Sequence, residues 1–477
     1  MKLLALAALI ALPAISTAQA VEERRTSSAD QAALAVTIYN GDLALVKDVR
    51  RVKLGASENL LAWRDVSAHM QPETALLRSL DGHKLTLLEQ NFDFDLLTPK
   101  KLLEKSVGDT VRVIRTQAVT GVEYAEQASV LAANDGVVLR FADRVETGIP
   151  GRIVFSSVPA DLRDQPTLSM LFKTDASGPH QAGTEHALEL SYLTSGLSWK
   201  ADYVAELSED SIDLNGWVTL TNDSGTSYPN ARLQLVAGEV NRVQAERRAV
   251  PMMMKAMANV AVQMQEESLF EYHLYTLDRN TTLGNQQTKQ VALLSAQKIP
   301  VEKEYRLQGG DAGYLTQVGD LGRKLKPEVS LEFANQGDNL GMPLPRGVVR
   351  VYKRDTAGRA QFIGEDRIDH TPRGESVRLK LGWAFDITAD KTQTDFQKLA
   401  GAYNSHGGVL ESGYQMEIRN AKRENVVVTV VEFLPGEWQI LQESLAHKQV
   451  SAGSVVWKVP VPAEGKTVLT WRVRVKY

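Results

Sequence analysis

Alternating apolar and polar positions dominate this chain, and nowhere more than between Leu188 and Val243. Trp199, Ala201, Tyr203, Ala205 and Leu207 alternate with Lys200, Asp202 and Glu206. Ile212, Leu214, Val218 and Leu220 keep the same period across Asp213, Asn215, Thr219 and Thr221, and Ala231, Leu233, Leu235 and Ala237 repeat it. A period of two turns one side of a strand to a core and the other to water. The gap at Ser208–Ser211 has the length of a turn, and Asn222–Asn230 has the composition of a loop. Antiparallel strands with one wet face follow, as in a β-sandwich.

The same pattern divides the rest of the chain. Val21 to Asp30 reads as a loose lead-in. Two hairpin signals follow, at Asn40-Gly41 and Asp81-Gly82, where both residue types tolerate positive φ. Residues 21–97 therefore form an N-terminal β domain. Thr98-Pro99, with Gly108 beyond, brackets a short helix: Thr98 suits the N-cap and Pro99 the first position. Closely spaced strands follow it, with a turn at Asn134-Asp135-Gly136. Residues 98–160 read as a helix-plus-β module, either a small barrel of the Src-homology-3-like or Sm-like kind or a plain meander. Residues 161–326 form the first part of a sandwich. They carry a mobile, partly helical insertion at 244–268, a hairpin pairing EYHLYTL with KQVALLSA, and a glycine-rich linker from Gln308 to Lys326. Residues 327–477 supply a second sandwich part, with a helical turn around Phe396 to Ala400. The fold class expected is mainly β, a multi-domain antiparallel sandwich architecture.

Composition narrows the class. A chain of 477 residues with 43% hydrophobic content can fill several cores, enough for roughly two to four domains. A net charge of −4 gives no basic surface for nucleic acid. Cysteine is absent, which removes disulfides, thiolate metal sites and a cysteine nucleophile. Met1-Lys2, the short apolar run Leu3–Ile15 and Ala18-Gln19-Ala20 have the layout of a signal peptide over residues 1–20, with a mature start at Val21. No later stretch approaches the roughly twenty apolar residues of a spanning helix. An exported protein, periplasmic or secreted, is expected, with no transmembrane helix.

Candidate chemistry is sparse. His180 and His186 lie six apart beside Glu185, and a metal site there needs a further ligand from elsewhere in the chain. Asp93/Asp95, Glu365/Asp366 and Asp386/Asp390 are acidic pairs that surface charge explains; a glycosidase needs two carboxylates at a fixed separation, which sequence does not supply. Ser211–Asn222 imitates half a calcium loop, but its twelfth position, Asn222, lacks the carboxylate. Met252, Met253, Met254, Met257 and Met264 crowd the insertion. Thioethers suit Cu(I), but without spaced motifs or supporting histidines an adaptable contact loop is the reading taken. Leu469, Trp471, Val473, Val475 and Tyr477 alternate with polar residues at the C-terminus, a sandwich strand rather than the closing strand of an outer-membrane barrel. No catalytic, cofactor or metal residue is assigned.

SYLTSGLSWKADYVAEL followed by GWVTLTNDSGTSYPNARLQLVAGEV resembles the bacterial family called domain of unknown function 4139, and LPRGVVRVYKRD and EFLPGEWQILQ match its later parts. The resemblance covers about Leu188 to Val475. It implies an exported, predominantly β protein. Some relatives are labelled mucoidy-inhibitor-like, which points to envelope polysaccharide; this chain lacks their coiled-coil segment. The family offers no catalytic residues to carry over. The expected function is that of a non-enzymatic envelope protein that binds or scaffolds, with a protein or glycan partner through an exposed strand edge, a loop or the methionine insertion. The alternative is an envelope hydrolase or carbohydrate-active enzyme built from distant loop carboxylates.

Overall fold

The structure, a computed structural model, describes residues 21–476 except 56, 135, 160–161, 175–184, 239–240, 242–263, 310–312, 338–339 and 401–407. Strands dominate it; the one α-helix among the described residues is Pro99–Lys105. The mainly β class expected from periodicity is what the chain adopts. No described helix is long and apolar enough to cross a membrane. The chain divides into two compact units, Met1–Ser198 with Thr221–Gln234 and Arg279–Gln287, and Trp199–Leu220 with Leu235–Asp278 and Thr288–Tyr477.

In the first unit, one sheet orders Glu23–Thr26, Glu58–Arg64, Thr167–Thr174 and Leu85–Asp93. Its first pair is parallel. The expected loose lead-in is thus corrected: Glu23–Thr26 pairs residue by residue with Leu60–Trp63, and Ser27 caps a 3-10 turn behind it. Arg163 holds this strand in place, donating to Glu23 Oε1 and Oε2 at 2.9 and 2.8 Å and to Asp93 Oδ2. A second sheet contains Gln31–Tyr39 and Leu43–Lys53, the hairpin signalled by Asn40-Gly41, then Glu185–Thr194 and Leu76–Ser79.

A third, five-stranded sheet orders Val145–Thr147, Val138–Arg140, Glu123–Ala132, Thr110–Thr116 and Arg152–Val154. Thr98 caps the helix, accepting from Lys101 N, and Leu103 packs into the same core as Val113, Val130 and Leu139. The strand order is open, with no pairing between its two edges among the described residues. No closed barrel is seen among the described residues, and the sheet is not a plain meander either, because Arg152–Val154 returns to pair with Thr110–Thr116.

In the second unit, a sheet orders Gln287–Pro300, Ser211–Asn222, Leu197–Leu207, Gly347–Arg354 and Ala360–Ile368. Leu197–Leu207 and Gly347–Arg354 run parallel, and a side chain at Gly347 would overlap the Ala201 carbonyl. The pairing of EYHLYTL with KQVALLSA does not occur. Tyr272–Leu277 instead pairs with Met264–Leu269, so the last five residues of the expected insertion, Met264–Ser268, are strand. A six-stranded sheet (Ser376–Trp383, Glu328–Ala334, Glu302–Gln308, Val426–Phe433, Ser454–Val461, Lys448–Ser451) and a five-stranded sheet (Asp320–Leu325, Ile387–Ala400, Val409–Asn420, Gly465–Lys476, Glu437–Glu443) share one core. Val428, Val430, Trp457 and Val459 enter it from the first sheet, and Ile387, Ala389, Met416, Leu469 and Trp471 from the second. This is a β-sandwich.

Two expectations fail here for the same reason. Asp320–Leu325 is a sheet strand, not linker, and Phe396–Ala400 continues a strand, not a helical turn. Both sequences lack alternation because bulges interrupt their pairing, at Gly322 and between Gln393 and Asp395.

Candidate functional site

The residues singled out in the sequence do not converge. Asp93 pairs with Arg163, whereas Asp95 meets Lys101 and Lys105 at 3.2 and 3.4 Å. Glu365 meets Arg350 at 3.2 Å, and Asp366 accepts Lys380 N at 2.7 Å. Asp390 pairs with Arg419 at 2.8 Å and accepts Lys324 N. These bonds hold the Asp390 carboxyl below its usual range, the Lys324 N–H first and Arg419 next. Such contacts satisfy surface carboxylates. Ser211–Asn222 is a strand and not a calcium loop. His180, Met252, Met253, Met254 and Met257 lie outside the described residues; Met264 is buried at the start of a strand. His186 is buried in Glu185–Thr194, near Asp81 and His83.

The sandwich core contains what the sequence reading missed, a lysine and a glutamate with no exposed surface. Lys391 Nζ donates to Glu432 Oε2 at 2.7 Å and to the Gly309 carbonyl at 2.8 Å. Tyr314 OH donates to the same Oε2 at 2.7 Å. The ammonium also lies 5.4, 5.5 and 5.6 Å from the ring centroids of Tyr314, Tyr414 and Trp471, within the range of cation–π attraction. Beside it, Gln393 Nε2 and Tyr414 OH both donate to the Gly313 carbonyl at 2.8 Å, and Val318 N donates to Gln393 Oε1 at 2.6 Å. Burial pushes the Glu432 carboxyl up, against the opposing pull of Lys391. Burial likewise pushes the Tyr314 phenol up, with the Glu432 charge adding to it.

Period-two parity could have found this pair. Ile387, Ala389, Lys391 and Gln393 point one way, as do Val426, Val428, Val430 and Glu432. The charges occupy inward positions of their strands. Sealed from solvent, the pair joins the two sheets and holds Gly309 and Tyr314 against the core. Gly309 is required for this closure, because a methyl group there would overlap the Glu432 carboxyl. Gly309→Ala is expected to lower stability by about 1–3 kcal/mol through overpacking, read as a lower urea midpoint at unchanged slope.

The same unit carries exposed aromatic surface. The edge strands Ala360–Ile368 and Ser376–Trp383 meet where a side chain on Gly364 would overlap the Leu381 backbone. Bulges interrupt both strands there, between Phe362 and Gly364 and between Lys380 and Gly382. A bulge re-aims neighbouring side chains. Phe362, on the first of these strands, is 54% exposed, and Trp383 and Phe385, at and just beyond the end of the second, are 63% and 82% exposed. Lys380 Nζ lies 5.1 Å from the Trp383 ring centroid, and Lys326 Nζ lies 5.0 Å from that of Phe385.

The family model described as Domain of unknown function (DUF4139) matches residues 188–477. The chain belongs to this family. The family region takes in the Lys391–Glu432 centre and the aromatic junction alike, whereas Asp81, His83 and His186 precede it. Its N-terminal limit, Leu188, lies within the strand Glu185–Thr194. No curated protein matches the chain.

Proposed function

We propose that this DUF4139 protein is an exported, non-enzymatic component of the cell envelope that acts by binding another protein. The observation that carries the reading is the exposed aromatic pair Trp383 and Phe385, two residues apart at the end of an edge strand. Exposed apolar surface is costly in water and marks contact surfaces, and aromatic residues dominate the energetics of such contacts. Lys326 beside the Phe385 ring suits a partner segment that combines apolar and acidic residues. The signal-like first twenty residues support an exported location.

The test is an affinity pull-down from envelope extract with the wild-type chain and a Trp383→Ser/Phe385→Ser variant. Both substitutions are at exposed positions, where folding is little affected. A captured protein whose recovery falls about tenfold or more in the variant is expected, about 1.4 kcal/mol of binding. Equal capture by both chains, or no captured protein, would sink the reading, and a captured glycan would replace the partner class.

A further inference from the structure

We propose that Asp81, His83 and His186 form a binding site for a divalent transition-metal ion of the zinc class. One ligand atom from each lies within 4.8 Å of the other two. His186 Nδ1 is 3.7 Å from Asp81 Oδ2, and the two imidazole rings stand edge to face with centroids 4.9 Å apart. Zinc bound at about 2.0–2.2 Å to N and O ligands in a tetrahedron holds those ligands roughly 3.3–3.5 Å apart. The His186–Asp81 separation is already close to that edge. His83 is half-buried just beyond the turn, and a rotamer change of its side chain would close the remaining distance.

The fold builds this convergence from two separate stretches. Leu76–Ser79 pairs antiparallel with Glu185–Thr194 in the register Leu188↔Ser79. Carried two residues further, that register sets His186 opposite Asp81. Leu80 N donates to the Ala187 carbonyl at 2.9 Å and Ala187 N donates to Asp81 Oδ2 at 2.8 Å, which extends the ladder to the site. Gly82, at φ +82°, then turns the chain and returns His83 to the same place. The Ala187 N–H orients the Asp81 carboxylate, as groups behind metal ligands commonly do. Two imidazoles and one carboxylate are a ligand set that zinc favours, and three protein ligands leave a fourth position for water or a ligand molecule.

The experiment uses the untagged full chain, stripped with chelator and titrated with zinc sulfate by calorimetry. One equivalent is expected to bind saturably. Asp81→Asn and His83→Ala, neither at a fully buried position, are expected to weaken it by about 10–100-fold or more. Melting temperatures without metal should match the wild type, and zinc should raise the melting temperature of the wild type alone. Cobalt(II) in place of zinc should give the strong visible absorption of a four-coordinate site, lost in both variants. No saturable binding, or equal affinity in His83→Ala, would overturn the proposal; the second outcome would place any bound zinc elsewhere in the chain.

Discussion

Glu432→Ala is expected to destabilise the protein by about 3–5 kcal/mol, because it leaves the Lys391 ammonium buried without its counter-charge. The double variant Lys391→Met/Glu432→Leu is expected to recover most of that loss. Exchanging a buried ion pair for apolar side chains of similar volume is often neutral or stabilising, while breaking it is not. Urea unfolding of the wild type, single and double variants measures both effects. If the single variant were as stable as the wild type, the pair would not be the joint described above. The pH dependence adds a second check. Burial raises the Glu432 carboxyl above 4.5 in the fold. A raised folded pKa contributes stability that is full below the unfolded value and is lost as pH rises through the folded value. The wild type should therefore lose stability relative to the double variant as pH climbs from about 4.5. The opposite slope would show that the Lys391 charge outweighs burial at this carboxyl.

Asp48→Ala is expected to have an effect of the same size in the first unit, again about 3–5 kcal/mol. Asp48 and Arg50 are two apart on Leu43–Lys53, so both face inward, and they are 4% and 1% exposed. Asp48 Oδ2 accepts from Arg50 Nε and from Trp63 Nε1, both at 2.9 Å, and Oδ1 accepts from Gln31 Nε2 at 2.8 Å. Arg50 also donates to the Arg64 carbonyl at 2.8 Å and lies 4.7 Å from the Trp63 ring centroid. Truncating Asp48 removes the acceptor for three donors and strands the guanidinium, which reaches from one sheet to Arg64 of the other, without its counter-charge. Asp48→Asn keeps an acceptor oxygen and should cost less than Asp48→Ala. Thermal and urea unfolding of the two variants orders them, and equal losses would mean that the charge alone, not the hydrogen-bond geometry, matters at this site.

The buried pairs and the aromatic junction divide the work of the second unit differently. Lys391 and Glu432 have no exposed surface, so their contribution is to the sandwich. Phe362, Trp383 and Phe385 are exposed beside two bulges, where they contribute little to a core and are available to a partner. A variant that unfolds the sandwich and a variant that abolishes binding should therefore separate, the first at Glu432 and the second at Trp383.

Much of the architecture was written in local pattern. The alternation at Trp199–Leu207 and Ile212–Leu220 appears as strands Leu197–Leu207 and Ser211–Asn222, and Thr98-Pro99 begins the helix Pro99–Lys105. The family likeness read from Leu188 onward matches the family region. These features depend on neighbours in the chain, through side-chain parity, capping and turn residues, so sequence alone determined them. What sequence did not determine was partnership across the chain. Lys391 and Glu432 each read as ordinary charges until two sheets face each other. Tyr272–Leu277 chose Met264–Leu269 rather than the following strand. His83 came to lie beside His186 only because the register of Leu76–Ser79 against Glu185–Thr194 set it there. Period-two alternation specifies which face of a strand is buried but not which strand or sheet it meets; that choice belongs to the packing of the whole core.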